Sequence, residues 1–136
     1  MTKRQLIVEA VNAALSVVQE NGVADTNFDK VTYWQDTDTQ YGKNHLDYRD
    51  TTEEYTKKNT IYDATLNIEI VAVVYGDATL SAQQSGTLAL ADLIGAVRSL
   101  ALPNCLFNLA RSHKWVETKG KTACCIELEL NVHYKF

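Results

Sequence analysis

The chain is poor in the residues from which sites are usually built. Its 136 residues include three cysteines, three histidines, six glycines and one proline. The cysteine number is odd and Cys124 and Cys125 are neighbours, so no disulfide framework is implied. Neighbours on a strand point to opposite faces, so this pair cannot chelate one zinc ion as spaced cysteines do. Gly76, Gly86 and Gly95 stand apart, which excludes a phosphate-cradling loop. Basic residues do not dominate: 13 Lys and Arg face 17 Asp and Glu, for a net charge of −4 and a pI near 5.3. That balance argues against a dedicated nucleic-acid binder, although a mildly acidic wall suits nucleic acid that passes without sticking. The longest apolar runs, 70–75 and 100–102, are too short to cross a bilayer. Glu9 and Asn12 interrupt the segment in which a secretory leader needs an unbroken apolar run. The expectation is an intracellular protein made in a cytoplasm.

What the chain does have is pattern. Hydrophobic content of 46% and charged content of 22% fit one ordinary core, and the length fits a single domain over 1–136. From Cys124 every second residue is apolar (Ile126, Leu128, Leu130, Val132, Tyr134, Phe136), while Cys125, Glu127, Glu129, Asn131, His133 and Lys135 lie between. Such alternation marks a strand of a sheet packed on one side. A second long strand is expected over 60–75, with Ala64, Leu66, Ile68, Ile70, Ala72 and Val74 inward and Thr65, Asn67 and Glu69 outward. Leu6, Ile7, Ala10, Val11, Ala14, Val17 and Val18 make the stripe of a helix over 3–19, with Thr2 as N-cap and Asn21-Gly22 as its stop. Leu90, Ile94, Val97 and Ala101 predict a second helix over 86–102, reached through a linker at 79–85 and stopped by Pro103. Short strands are expected at 30–35, 104–110 and 113–117. The class is α+β: two helices on one face of an antiparallel sheet with strands of mixed length.

Residues 36–58 are the irregular part. They are polar, have no period, and scatter Tyr41, Tyr48 and Tyr55 among charges. A long loop or a β-hairpin arm is expected over 36–60. If extended throughout, 60–75 would reach about 50 Å. A globule of this length is roughly 37 Å across. Either the strand overruns as an arm or it breaks near Asn59.

Catalytic chemistry finds little support. His45-Leu46-Asp47 offers half of a metal or acid–base site, but no second ligand set accompanies it, and a solvated loop is expected. His133 falls on the wet face beside Glu129 and Lys135. His113, with Arg111 and Lys114, forms a small basic cluster at an expected turn. Cys124 is expected in the core, Cys125 partly exposed or at an interface, and Cys105 has no histidine at nucleophile–base spacing. Glu127 and Glu129 share one face, where they keep a sheet soluble or line an acidic lumen. Trp34 and Trp115 are expected to pack in a core or an interface. No catalytic residue, cofactor or metal is expected. The competing reading is a small α+β enzyme or ligand-binding module using His45, Asp47, Cys105 and His113.

The layout resembles a known family. The helix Leu6 to Val18, then Val31-Thr32-Tyr33-Trp34, a polar loop, the strand 63–71, the helix Leu88 to Leu102 and the terminal strand 126–134 together resemble the tail terminator (tail completion) proteins of long-tailed bacteriophages. Minor tail and head-completion or stopper proteins share much of this layout. The resemblance implies a non-enzymatic virion protein, assembled in the host cytoplasm and placed at the head-proximal end of the tail. It implies a homohexameric ring that caps the tail tube, ends its polymerisation and docks to the head connector, while DNA passes through without sequence-specific binding. Its implied partners are further copies of itself, the tail tube protein and the connector or stopper; none is a membrane. On that reading Tyr41, Tyr48, Arg49, Tyr55, Lys57 and Lys58 are candidate contacts, since tyrosine is enriched at interface hot spots, and Glu127 and Glu129 are candidates for the lumen or solvent face.

Overall fold

Seven elements follow one another in the computed structural model, which describes residues 2–21, 28–33, 42–118 and 121–135. They are α1 (Lys3–Asn21), β1 (Lys30–Tyr33), β2 (His45–Lys58), β3 (Ile61–Tyr75), α2 (Thr79–Arg98), β4 (Cys105–Glu117) and β5 (Ala123–Lys135). The strands form one sheet in the order β1-β2-β3-β5-β4. Every pairing is antiparallel except β1 with β2, which is parallel. The α+β expectation therefore holds, with a mixed sheet.

The two alternating segments make the centre. β3 and β5 pair without interruption from Asp63↔Lys135 to Tyr75↔Ala123, with Ile68 opposite Leu130 and Ile70 opposite Leu128. All four of these side chains are buried. Ile7, Val11, Leu15 and Val18 of α1, and Ala82, Ala89, Leu93 and Val97 of α2, join them in one core. Thr2 caps α1: its Oγ1 accepts the Gln5 N–H at 3.2 Å, and the Gln5 side chain accepts the Thr2 N–H at 2.8 Å. Gly86 is where α2 comes closest to the sheet. A Cβ there would overlap Cys124 Sγ and lie 2.9 Å from Cys124 Cβ.

Several expectations are corrected. The linker at 79–85 is helical, because Ser81 Oγ accepts the Ala78 N–H at 3.0 Å and starts α2 there. The helix ends at Arg98, ahead of Pro103, where the Ser99 N–H closes onto Gly95 and Ala96 carbonyls. The short strands at 104–110 and 113–117 are one strand, β4, with a bulge between Leu109 and Arg111. The bulge inserts Ala110 and shifts the alternation by one, so Phe107 and Leu109 face the core before it and Lys114 and Val116 after it.

The larger correction concerns 36–58. Of the two expectations, the hairpin rather than the loop describes 45–58, which form the fourteen-residue strand β2; residues 36–41 lie outside those described. β2 pairs with β3 and turns into it at Asn59, which takes φ +58°. Its distal half, 54–58, is exposed on both faces, which is why the sequence shows no period there. β3 itself is unbroken from Ile61 to Tyr75.

The outer face of the sheet is not wet throughout. Val73, Ala123 and Cys125 are fully buried there, packed by Tyr75 and Trp115. Cys125 is thus a core residue rather than a partly exposed one. His45 and Asp47, expected on a solvated loop, are 4% and 5% exposed on β2.

Candidate assembly surfaces

His45 and the cysteines do not converge. His45 and Cys125 both pair with Val73, from opposite sides, so β3 separates them by two strand spacings, roughly 9–10 Å. Burial, then Glu117 and Cys124, push the Cys125 thiol up to about 12, so it stays protonated at neutral pH. Burial also raises Cys124. Cys105 pairs with Tyr134 at the far end of β4 from Trp115. The His113 ring stacks on Trp115, with centroids 5.0 Å apart. Among the described residues no group of three or more His, Cys, Asp or Glu side chains could hold a metal ion.

The outer face carries a polar ladder instead. Thr51 donates to Asn67 Oδ1 at 2.6 Å, and Asn67 Nδ2 donates to Glu129 at 2.8 Å and Asn131 at 3.1 Å. Arg49 pairs with Glu69 at 2.7 Å. Arg111 lies 3.6 Å from both Glu127 and Glu129, so these two carboxylates face a cation rather than a purely acidic field. Thr65 Oγ1 and His133 Nδ1 are 2.9 Å apart. Such exposed pairs add little stability, but they fix the character of the face as polar and nearly charge-balanced.

The candidate contact residues divide. Tyr48 is buried, its hydroxyl donating to Asn12 Oδ1 at 2.9 Å and its ring edge-on to Tyr33, so it is spent on holding α1 to β2. Arg49 is engaged by Glu69. Tyr41 and Trp34 lie outside the described residues. Tyr55 is 52% exposed, Lys58 is exposed, and Lys57 Nζ sits 5.6 Å over the Tyr62 ring. With Ile61 and Tyr62, also exposed, these make an apolar and basic end to the β2–β3 hairpin. An open groove of about 560 Å³ runs beside it, lined by Thr2, Arg4, Glu53, Tyr55 and Tyr134.

Sequence reasoning missed the residue that anchors this hairpin. Arg4, on the first turn of α1, donates to Asp50 at 2.5 Å, Glu53 at 3.0 Å and the Thr51 carbonyl at 3.4 Å. It therefore clasps the bulge of β2 between Asp50 and Glu53. Tyr33 donates to the same Asp50. Burial alone would raise the Asp50 carboxyl, but the Tyr33 hydroxyl and the Arg4 guanidinium outweigh it and hold the group below its ordinary value. No spacing in the sequence links position 4 to position 50.

No family model matches the chain, and no curated protein matches it. Among solved structures it is similar to a chain of the virion of a native gene transfer agent particle. The two align over 96% of this chain and 98% of that one, at 13% identity and a TM-score of 0.57. At that identity the likeness is one of fold.

Proposed function

We propose that the chain is a structural protein of a phage-like virion and that it serves as the tail terminator. In this role 1–136 acts as one domain and assembles into a ring, a hexamer by the resemblance. The ring caps the tail tube at its head-proximal end, stops polymerisation and joins the connector, and DNA passes through the lumen. The observation that carries the reading is the fold likeness to a gene transfer agent virion chain, which spans nearly the whole of both chains. Two further features support it. Buried His45 and Cys125 are held apart by β3, which gives no support to a thiol–imidazole site. Among the described residues no strand covers the outer edge of β4 or that of 52–58, which suits a head-to-tail contact that closes a ring. Glu127 and Glu129, tempered by Arg111, would give a lumen face that neither holds nor strongly repels a phosphate backbone.

The test is co-expression with a tail tube protein of the same virion, followed by negative-stain microscopy. The expected result is tubes of arrested length, each with a ring at one end. Binding to connector but not to tubes would replace the terminator role with that of a head-completion or stopper protein. A chain that joins neither and is absent from purified particles would refute the virion reading.

A further inference from the structure

The sheet has two outer strands, and they differ in how they meet solvent. β4 pairs with β5 along thirteen residues, and among the described residues no strand covers its other edge. Its first half, 105–110, reads Cys-Leu-Phe-Asn-Leu-Ala, without charge, proline or glycine. Leu106 is 60% exposed and Leu109 37%. A bare apolar edge of this kind templates aggregation unless something pairs with it. On the opposite side β1 covers β2 only as far as Tyr48, and 52–58 has no described strand against its outer edge.

We infer that the β4 edge of one copy receives the 52–58 edge of β2 from the next copy, so that the sheet continues from subunit to subunit. This deepens the ring reading and rests on it. Strand direction supports it. From β2 through β3 and β5 to β4 there are three antiparallel steps, so β2 and β4 run in opposite directions. Rotation about an axis along the strands preserves direction, so the neighbour's β2 arrives antiparallel to β4. Height supports it as well. Tyr55, Ala64, Tyr134 and Cys105 share one row of the sheet, and Glu54, Thr65, His133 and Leu106 the next. With strands along the axis, exposed Tyr55 of one copy is therefore level with Cys105 of its neighbour, and exposed Glu54 with exposed Leu106.

Charge permits this occupant: Glu53, Glu54 and Tyr55 are level with the uncharged Phe107, Leu106 and Cys105, so no like charges meet along these rows.

The experiment is hydrogen exchange of the whole chain, dilute as a monomer and concentrated as a ring, with mass measured by sedimentation. Amides in 105–111 and in 52–58 are expected to slow at least tenfold on assembly. Asn108→Pro is expected to weaken assembly at least tenfold while leaving the far-UV spectrum unchanged. Should that variant misfold, Leu106→Asp, at a position exposed in the monomer, takes its place. Rings in which both segments exchange as in the monomer would overturn the inference and leave the ring reading intact; so would edge variants that assemble normally. A dimer protected at 105–111 alone would overturn the choice of occupant. A chain that forms no ring, alone or on tubes, would remove the ring reading and this inference with it.

Discussion

Replacing Arg4 with methionine tests how the β2–β3 hairpin is held. The guanidinium is 38% exposed, but the Asp50 and Glu53 side chains it bonds are each only 10% exposed. Breaking a fully buried pair costs about 3–5 kcal/mol, and an exposed pair is worth about 0–1 kcal/mol. This half-open clasp falls between them, and a loss of about 2 kcal/mol is expected, or roughly 6–10 °C in Tm for a chain of this size. The pH dependence carries a second signature. The folded pKa of Asp50 lies below its unfolded value, so the native state binds fewer protons at this site than the unfolded chain. The stabilisation is complete above the ordinary carboxylate range, about pH 4, and is lost as pH falls through the folded value. The gap between wild type and Arg4→Met should therefore be widest at pH 7 and close toward pH 3. Adding Asp50→Asn to Arg4→Met should recover part of the loss, because the stranded carboxylate is gone. Urea melts at pH 7, 5 and 3 measure all of this. A gap under about 0.5 kcal/mol at pH 7, or one that does not narrow with acid, would refute the argument.

Further outcomes follow from the same geometry. Gly86→Ala should destabilise by about 1–2 kcal/mol, since overpacking against Cys124 outweighs the gain in helix propensity. Gly95→Ala on the same helix, where a Cβ meets nothing within 4 Å, should stabilise by roughly 0.5–1 kcal/mol; equal effects in denaturant melts would show that the helix–sheet approach is misjudged. Tyr48→Phe should cost about 1 kcal/mol by removing the bond to Asn12, and no change in Tm would mean that bond contributes nothing. In a thiol-labelling time course at pH 8, Cys105 should react first, and Cys124 and Cys125 only on unfolding; rapid labelling of more than one thiol in the native state would contradict their burial.

The parts of the fold that could be read from sequence are those whose two faces differ in polarity. β5 and most of β3 alternate because helices cover one side, and α1 shows Ile7, Val11 and Val18 of its expected stripe for the same reason, while Leu6 and Val17 are exposed and Leu15 is buried in their place. β2 was illegible because its distal half faces water on both sides, and β4 looked like two strands because Ala110 shifts its phase. His45 and Asp47 belong to a strand paired on both sides, by β1 and β3, rather than to a loop, and Cys125 is buried because the outer face gains a small core of its own from Tyr75 and Trp115. Two of these partners come from other strands, and no local period announces them. The anchor at Arg4 was invisible for the same reason: its partners are 46 and 49 positions away.

The strands that resisted reading are the ones with open edges. An edge strand lacks a neighbour along part of one side, and there it must avoid pairing with the wrong chain. Both irregularities in the ladder fall there, between Asp50 and Glu53 on β2 and between Leu109 and Arg111 on β4, while β3 and β5 pair without a break. The extra residues of β2 lie opposite Asn67, in the row that continues through Asn131 to Asn108, two residues before Ala110. The Thr51–Asn67 bond and the Arg4 clasp hold that kink in place. A flat foreign edge meets a bend on either side of this sheet and pairs poorly. A second copy, rotated about the strand direction, brings a bend to nearly the same height as the one it meets. The same two bulges that protect the isolated chain would then select its own kind as the partner.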